Sequence, residues 1–372
     1  MASQHSPQLR KKTRIVCISD THNQTPKLPK GDVLIHAGDL TNQGSRSELE
    51  KTINWLEKAD FEAKIVIAGN HEITLDKPFY EKHGSSWRWP EPQDPVSNRK
   101  LLQESPSITY LENQSASIYL NSPNGPHTQF TVFGSPCTPN RRTWAFRYEP
   151  GGEEAVRLWD AIPPETDIVV THTPPRGYCD QTTRDDRTGC EVLIKALHRV
   201  RPMLTVFGHI HECRGVERVL WNNDVLHEGR LVDSIDVWRD PGLGNNKQSL
   251  VDLTAKGGRP LNNCGGSSSP RQRPPSLASA IPMGVDGGEP RAYVVLHSET
   301  DSSRQKGVTD DANNEAGGKA ASRGADEHAL PSDIGSTARR ETAMVNAAHC
   351  GPRGGLPQYF KVVVVDIELA VW

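Results

Sequence analysis

No two of the seven cysteines stand in a CxxC pair, and their number is odd. That argues against both a disulfide framework and a structural zinc knuckle, and leaves reduced thiols as the expectation. Long apolar runs are also missing. The longest aliphatic stretches are short, such as VVVVDI at Val362 to Ile367, too short to cross a bilayer. The opening MASQHSPQLRKKTR has no apolar core of a secretory signal. Nor does one sign of charge dominate. A formal net charge of −3 offers no electrostatic case for general nucleic-acid or membrane binding. No internal repeat is visible. These absences predict a cytoplasmic protein without a membrane partner, and they leave its oligomeric state open. What is plentiful is Gly (31) and Pro (28), against a hydrophobic share of 35%, so part of the 372-residue chain is expected outside any core.

The order of segments reads as a layered α/β domain. RIVCIS (14–19), VLIHA (33–37) and AKIVIA (63–68) have the makings of buried strands. Ser47 followed by Glu50 suggests a capping box for a helix with Leu49, Ile53 and Leu56 on its apolar stripe. WRWPEPQDP, at Trp87 to Pro95, is too irregular for any element. Strand-like pieces recur at 108–111, 116–120 and 129–133, the last two joined by a loop containing NG. Helical patterns at 153–162 and 190–200 alternate with strand patterns at 167–171 and 203–207. From residue 239 the composition shifts to Gly, Ser, Pro, Asn and Asp, the mark of a largely flexible insertion over 239–341. QSLVDL and AYVVLH are candidate ordered islands inside it. The expected organisation is a flexible N-terminus at 1–13, the first part of the domain at 14–238, that insertion, and closing strands at 342–372.

Polar residues gather just beyond the strand ends. RIVCIS runs into Asp20-Thr21-His22, VLIHA into Gly38-Asp39, and KIVIA into Gly69-Asn70-His71-Glu72. DIVVT is followed by His172, and MLTVF by Gly208-His209-Ile210-His211. Taken singly, each has a bland reading as a turn, a cap or a surface imidazole. Jointly they send carboxylates, an amide and imidazoles to one edge, where open α/β sheets place their sites. Asp and His supply donors of intermediate hardness, suited to manganese, iron, cobalt or zinc, and no thiol takes part. They exceed what one tetrahedral ion needs, which points to two divalent metal ions sharing a carboxylate. His36 and His198 fall inside a strand and a helix, where a core or surface role is expected.

In chain order these pieces read DxH, GD, GNH[ED], H, GHxH. The series resembles the calcineurin-like metallophosphoesterase superfamily over Ile15 to His211. The stretches THTPPRGYCDQT, FGHIHECRG and VNAA…VVVVDIEL are similar to its small metallophosphoesterase-domain-containing branch, close to class III cyclic-nucleotide phosphodiesterases. The resemblance implies a four-layer αββα sandwich of two mixed sheets. It implies that Asp20, His22 and His211 hold one metal, that Asn70, His172 and His209 hold the other, and that Asp39 bridges them. His71 would serve the phosphate or leaving group. The implied reaction is hydrolysis of a small phosphoester by a metal-bridging hydroxide, with diesters slightly favoured. Ser/Thr protein phosphatases of this superfamily carry GDxVDRG, whereas GDLTNQG stands here, with Asn42 in place of the second Asp and no arginine. That disfavours a phosphopeptide substrate. A nuclease of the same fold would need a basic aromatic groove, for which Arg141, Arg142, Trp144 and Arg147 form a candidate cluster. A non-catalytic scaffold acting through the insertion is the other alternative.

Overall fold

Along the first strand, β1 (Arg10–Ile18), Ile15 and Cys17 face one way and Val16 and Ile18 the other, and all four are fully buried. A strand covered on both faces must lie between two other layers. The structure, a computed structural model, describes residues 9–140, 143–184, 186–223, 230–263, 279–297, 339–352 and 356–372. After β1 come β2 (Val33–Ala37), α1 (Arg46–Lys58), β3 (Ala63–Ile67), α2 (Lys77–His83), α3 (Pro95–Gln103), β4 (Thr109–Tyr110), β5 (Gln114–Leu120) and β6 (Thr128–Ser135). A short ribbon of β7 (Thr138–Pro139) and β8 (Arg147–Tyr148) precedes α4 (Glu153–Asp160), β9 (Ile168–Thr171), α5 (Glu191–Val200) and β10 (Leu204–Phe207). The chain closes with β11 (Gly215–Trp221), β12 (Val232–Val237), β13 (Ser249–Asp252), β14 (Ile281–Asp286), β15 (Glu289–His297), β16 (Glu341–Asn346) and β17 (Val363–Val371).

Two mixed sheets result. One runs β13-β17-β1-β2-β3-β4 and the other β14-β15-β5-β6-β9-β10-β16-β11-β12. They are joined where the end of β17 pairs with the start of β6, Ala370 against Gln129 and Val371 against Thr128, and again at the bridge between Ser19 and Ala348. Between them lies an apolar layer with Ile15, Ile35 and Val365 on one side and Phe130, Val170 and Val206 on the other. Phe130 is 1% exposed, and burying a side chain of that size contributes about 1.5–3 kcal/mol. On the outer face of the first sheet, Val16, Leu34 and Val66 pack with Leu49 and Leu56 of α1 and Leu102 of α3. Outside the second sheet, Phe133, Val169 and Phe207 pack with Trp159 of α4 and Leu193 and Leu197 of α5. The result is the four-layer αββα sandwich expected above. No helix among the described residues is long and apolar enough to cross a membrane.

Several local expectations are corrected. β1 starts at Arg10, inside the 1–13 stretch read as flexible, because Arg10 to Thr13 ladder against Ala370 to Ile367. α1 opens at Ser45, not Ser47. The same Ser-x-x-Glu spacing occurs twice, and it is Ser45 whose N–H and hydroxyl both reach the Glu48 carboxylate, at 2.9 and 2.8 Å. The Trp- and Pro-rich excursion ends in α3, which begins at Pro95 with Asp94 accepting from the Val96 N–H. Of the 239–341 segment, residues 264–278 and 298–338 lie outside the described residues. Within the rest, the islands QSLVDL and AYVVLH do form strands, joined by β14: β13 runs parallel to β17, and β14 and β15 extend the second sheet from β5.

Candidate metal centre

Three strands of the first sheet and two of the second end beside one another. β1 is followed by Asp20 and His22, β2 by Asp39, and β3 by Asn70 and His71, while β9 is followed by His172 and β10 by His209 and His211. The chain turns sharply as it leaves these strands. Asp20, His22, Asp39 and His209 hold left-handed backbone at φ 54, 44, 52 and 68°. Such conformations cost non-glycine residues about 1–3 kcal/mol and persist only where surrounding structure enforces them. Gly208 answers to a different constraint. A Cβ there would run into the Asp20 carboxylate and the Ser19 hydroxyl, so only glycine lets β10 come this close to the end of β1.

Two groups of donor atoms form. Asp20, His22, Asp39 and His211 bring one ligand atom each within 4.8 Å of one another, and so do Asp39, His172 and His209. Asn70 belongs with the second group, its Oδ1 lying 3.1 Å from His172 Nε2. All seven residues read from the sequence as ligands therefore converge, and Asp39 stands in both groups. The imidazoles are held from behind by backbone carbonyls. Nδ1–H of His22 donates to Thr41 O at 3.1 Å, that of His172 to Ala37 O at 2.9 Å, and that of His211 to Gly351 O at 3.1 Å. A carbonyl can only accept, so Nδ1 carries a proton in each ring and Nε2 is the nitrogen turned to the centre, where it can serve a cation. Asp20 is anchored by the His209 N–H, at 3.1 and 3.0 Å from its two oxygens.

The electrostatics of this cluster are governed first by burial. Burial drives the His22 and His209 imidazoles down to about 4 and about 3, which leaves both neutral at physiological pH. His172 moves the other way, up to about 9, because the Asp39 charge and hydrogen bond outweigh burial. Burial also pushes the Asp20 and Asp39 carboxyls upward, but His211 and His172 respectively outweigh it and hold both below the usual range. Among the described residues no lysine or arginine pairs with Asp20 or Asp39; their ion-pair partners are His211, His22, His71 and His172. Buried carboxylates met only by imidazole and amide donors, with no thiolate, fit divalent cations of intermediate hardness.

His71 lies beside both groups. Its N–H donates to Asp39 Oδ1 at 2.9 Å, its Nε2 is 3.9 Å from Asp39 Oδ2, and its Nδ1–H donates to the Asn42 carbonyl at 2.6 Å. The carbonyl of Asn42, not its side chain, thus orients the ring, a contact invisible in a motif. Glu72 ties the two loops together. Its carboxyl accepts from Gly69 N at 2.7 Å, Thr41 N at 2.9 Å and Thr41 Oγ1 at 2.8 Å. Burial, and then Asp39, push that carboxyl up to about 8. His36 stays in the core with Nε2 on the Thr21 hydroxyl at 3.0 Å, and half-buried His198 meets the Asn222 carbonyl at 3.2 Å. Neither reaches the centre. Trp144, read from the sequence only as part of a candidate nucleic-acid groove, has its ring centroid 4.1 Å from that of His71. Arg141 and Arg142 lie outside the described residues. Arg147 packs over Phe79, with its guanidinium 5.5 Å from that ring.

A family model described as calcineurin-like phosphoesterase matches residues 13–213. The chain is similar to a probable rhamnogalacturonate lyase C of Emericella nidulans, 44% identical over 226 residues, which make up 59% of this chain and 19% of that protein. It is also similar to metallophosphoesterase domain-containing protein 1 of Homo sapiens, 41% identical over 208 residues, 55% of this chain and 62% of that one. A UPF0046 protein of Caenorhabditis elegans is 38% identical over 205 residues, 55% of this chain and 65% of that protein. The chain thus spans less than two thirds of the length of each of these relatives.

Proposed function

Since the chain belongs to the calcineurin-like phosphoesterase family, we propose that it is a phosphoric ester hydrolase dependent on two divalent metal ions, with phosphodiesters preferred to monoesters. The observation that carries this reading is Asp39, whose buried carboxylate stands in both donor groups. Asp20, His22 and His211 would complete one site, and Asn70, His172 and His209 the other. When bound, such a pair lowers the pKa of water towards about 7 and neutralises charge on phosphoryl oxygens. The chain's own residues do the rest. Thr41, Ala37 and Gly351 carbonyls hold three imidazoles by Nδ1, with Nε2 turned to the centre. His71, fixed by the Asn42 carbonyl, keeps Nε2 turned to the centre, where it can hand a proton to the departing oxygen.

The diester preference rests on the branch resemblance and on GDLTNQG, which has no arginine to grip a monoester dianion. A nuclease reading is weakened by Arg147, which is committed to Phe79 and His83 instead of a groove. A scaffold reading does not account for two buried carboxylates that, among the described residues, imidazoles meet and no lysine or arginine does. The test combines elemental analysis with kcat/KM for a chromogenic phosphodiester, its monoester and a phosphoserine peptide. Two metals per chain and a diester preference are expected. Full metal loading with no turnover of any ester would sink the enzyme reading.

A further inference from the structure

The irregular Trp-rich stretch and the loop after β7 meet at the centre. The His71 ring is 4.7 Å from that of His22 and 4.1 Å from that of Trp144, to which it is tilted by 36°. Trp87 lies 5.1 Å beyond Trp144, Trp89 6.4 Å beyond Trp87, and Tyr80 5.8 Å beyond Trp89. A row of rings therefore leads from the ligand cluster outward on the His71 side. Trp144 and Trp87 are half-buried, so the row is not sealed inside a core. It is nevertheless firmly held. Asp76 accepts from Phe79 N at 3.0 Å, capping α2, and from Phe146 N at 2.8 Å. One carboxylate thereby ties the helix that leads to Trp87 to the loop that carries Trp144. Ala145 N reaches the Asn70 carbonyl at 3.3 Å, and the Trp89 indole N–H reaches the Gly84 carbonyl at 2.9 Å. Phe146 takes left-handed backbone, φ 53°, to keep the turn.

We propose that Trp144 and Trp87 form an aromatic wall on the leaving-group side of the centre and select phosphoesters whose departing alcohol carries a flat apolar ring. The proposal rests on the phosphoesterase reading, since it places the leaving group next to His71. Half-exposed indoles beside a polar ligand cluster keep apolar surface in water, and a ring laid along them removes it. Flat rings pair with indole in offset or edge-on geometry at centroid distances of about 4.5–7 Å, the spacing already present from Trp144 outward along this row. A ring-bearing ligand should gain roughly 3- to 10-fold over an alkyl one.

The experiment measures binding, not turnover. Affinities of phenylphosphonate and methylphosphonate are compared by calorimetry on the metal-loaded full chain, on Trp144→Ala and on Trp87→Ala, with metal content checked in each. The wild type should favour the phenyl ligand by about 3- to 10-fold, and each variant should lose most of that preference. Survival of the full preference in both variants overturns the wall. Should Trp144→Ala lose its metals, Trp87→Ala, farther from the ligands, decides alone. Equal binding of both phosphonates by the wild type rejects the wall and spares the phosphoesterase reading. Failure of the loaded wild type to bind either one rejects both.

Discussion

Where the parallel strands begin, buried carboxylates are met by arginine; where they end, they are met by imidazole and backbone N–H. Asp366 on β17 receives Arg14 Nε and Nη2, each at 2.7 Å, and Asp167 at the start of β9 receives Arg339 at 2.6 Å. Asp20 and Asp39, at the other end, receive histidines and the amides of His209 and His71. A bidentate guanidinium satisfies a carboxylate permanently, because it never gives up its proton. Imidazole satisfies it provisionally and can become a fellow ligand once a cation arrives. One end of the sandwich is built for stability and the other is left open to cations.

The sharpest way to break this contrast is to remove the shared charge. Asp39→Asn takes an anionic ligand from both groups, and losing several kcal/mol of charge stabilisation lowers kcat/KM on the order of 10⁴-fold. Two-metal loading by elemental analysis should fail with it, and added manganese or zinc should no longer raise Tm as in the wild type. Normal loading in Asp39→Asn would contradict the bridging role.

His71→Gln should leave metal content intact. If His71 supplies the proton, kcat for an alkyl ester falls by about 10²–10⁴-fold, and a nitrophenyl ester, whose leaving group needs no proton, suffers much less. Equal losses for both esters would turn His71 into a phosphate-positioning group.

Glu72→Gln probes the support beneath the ligands. The carboxyl accepts from Gly69 and Thr41 through both oxygens, and an amide must turn an NH₂ towards one of those donors. Metal affinity should drop by about 10–100-fold, the usual cost of losing a group that orients ligands. Unchanged affinity in a metal titration would show that the loops hold their positions without it.

The smallest functional effect belongs to the other end. Asp366→Asn loses a charge-assisted bidentate pair and should cost about 2 kcal/mol of stability without changing metal content. Burial raises the Asp366 carboxyl, but the hydrogen bonds from Arg14, aided by Lys12, outweigh it and hold the group below its ordinary 3.8. Its contribution is therefore fully present above that unfolded value and disappears as pH falls through the lower folded one. Urea denaturation at neutral pH and in acid should show wild type and Asp366→Asn converging in acid. A gap that persists there would exclude ionisation as its source.

The converging cluster was legible in the sequence because its members stand within a few residues of apolar runs, so local pattern alone places Asp20, His22, Asp39, Asn70, His172, His209 and His211 at strand ends. The layered α/β character was legible for a related reason, since runs such as RIVCIS and VVVVDI are apolar on both faces and need cover on both sides; the two-sheet sandwich was implied only by the family resemblance. Other features depend on partners far away in the chain. Arg10 to Thr13 form strand only because β17, more than 350 residues later, offers them a ladder. β13 and β15 stand out only as short islands, QSLVDL and AYVVLH, and β14 not at all, because β17 and β5 present the edges that they join. The Asn42 carbonyl on His71 and the Trp144 ring beside it are contacts of backbone and loop geometry, which residue identity does not encode. A sequence records what each segment can bury or donate. Which groups meet is decided by packing two sheets face to face, and that alone brings the ends of five strands to one point.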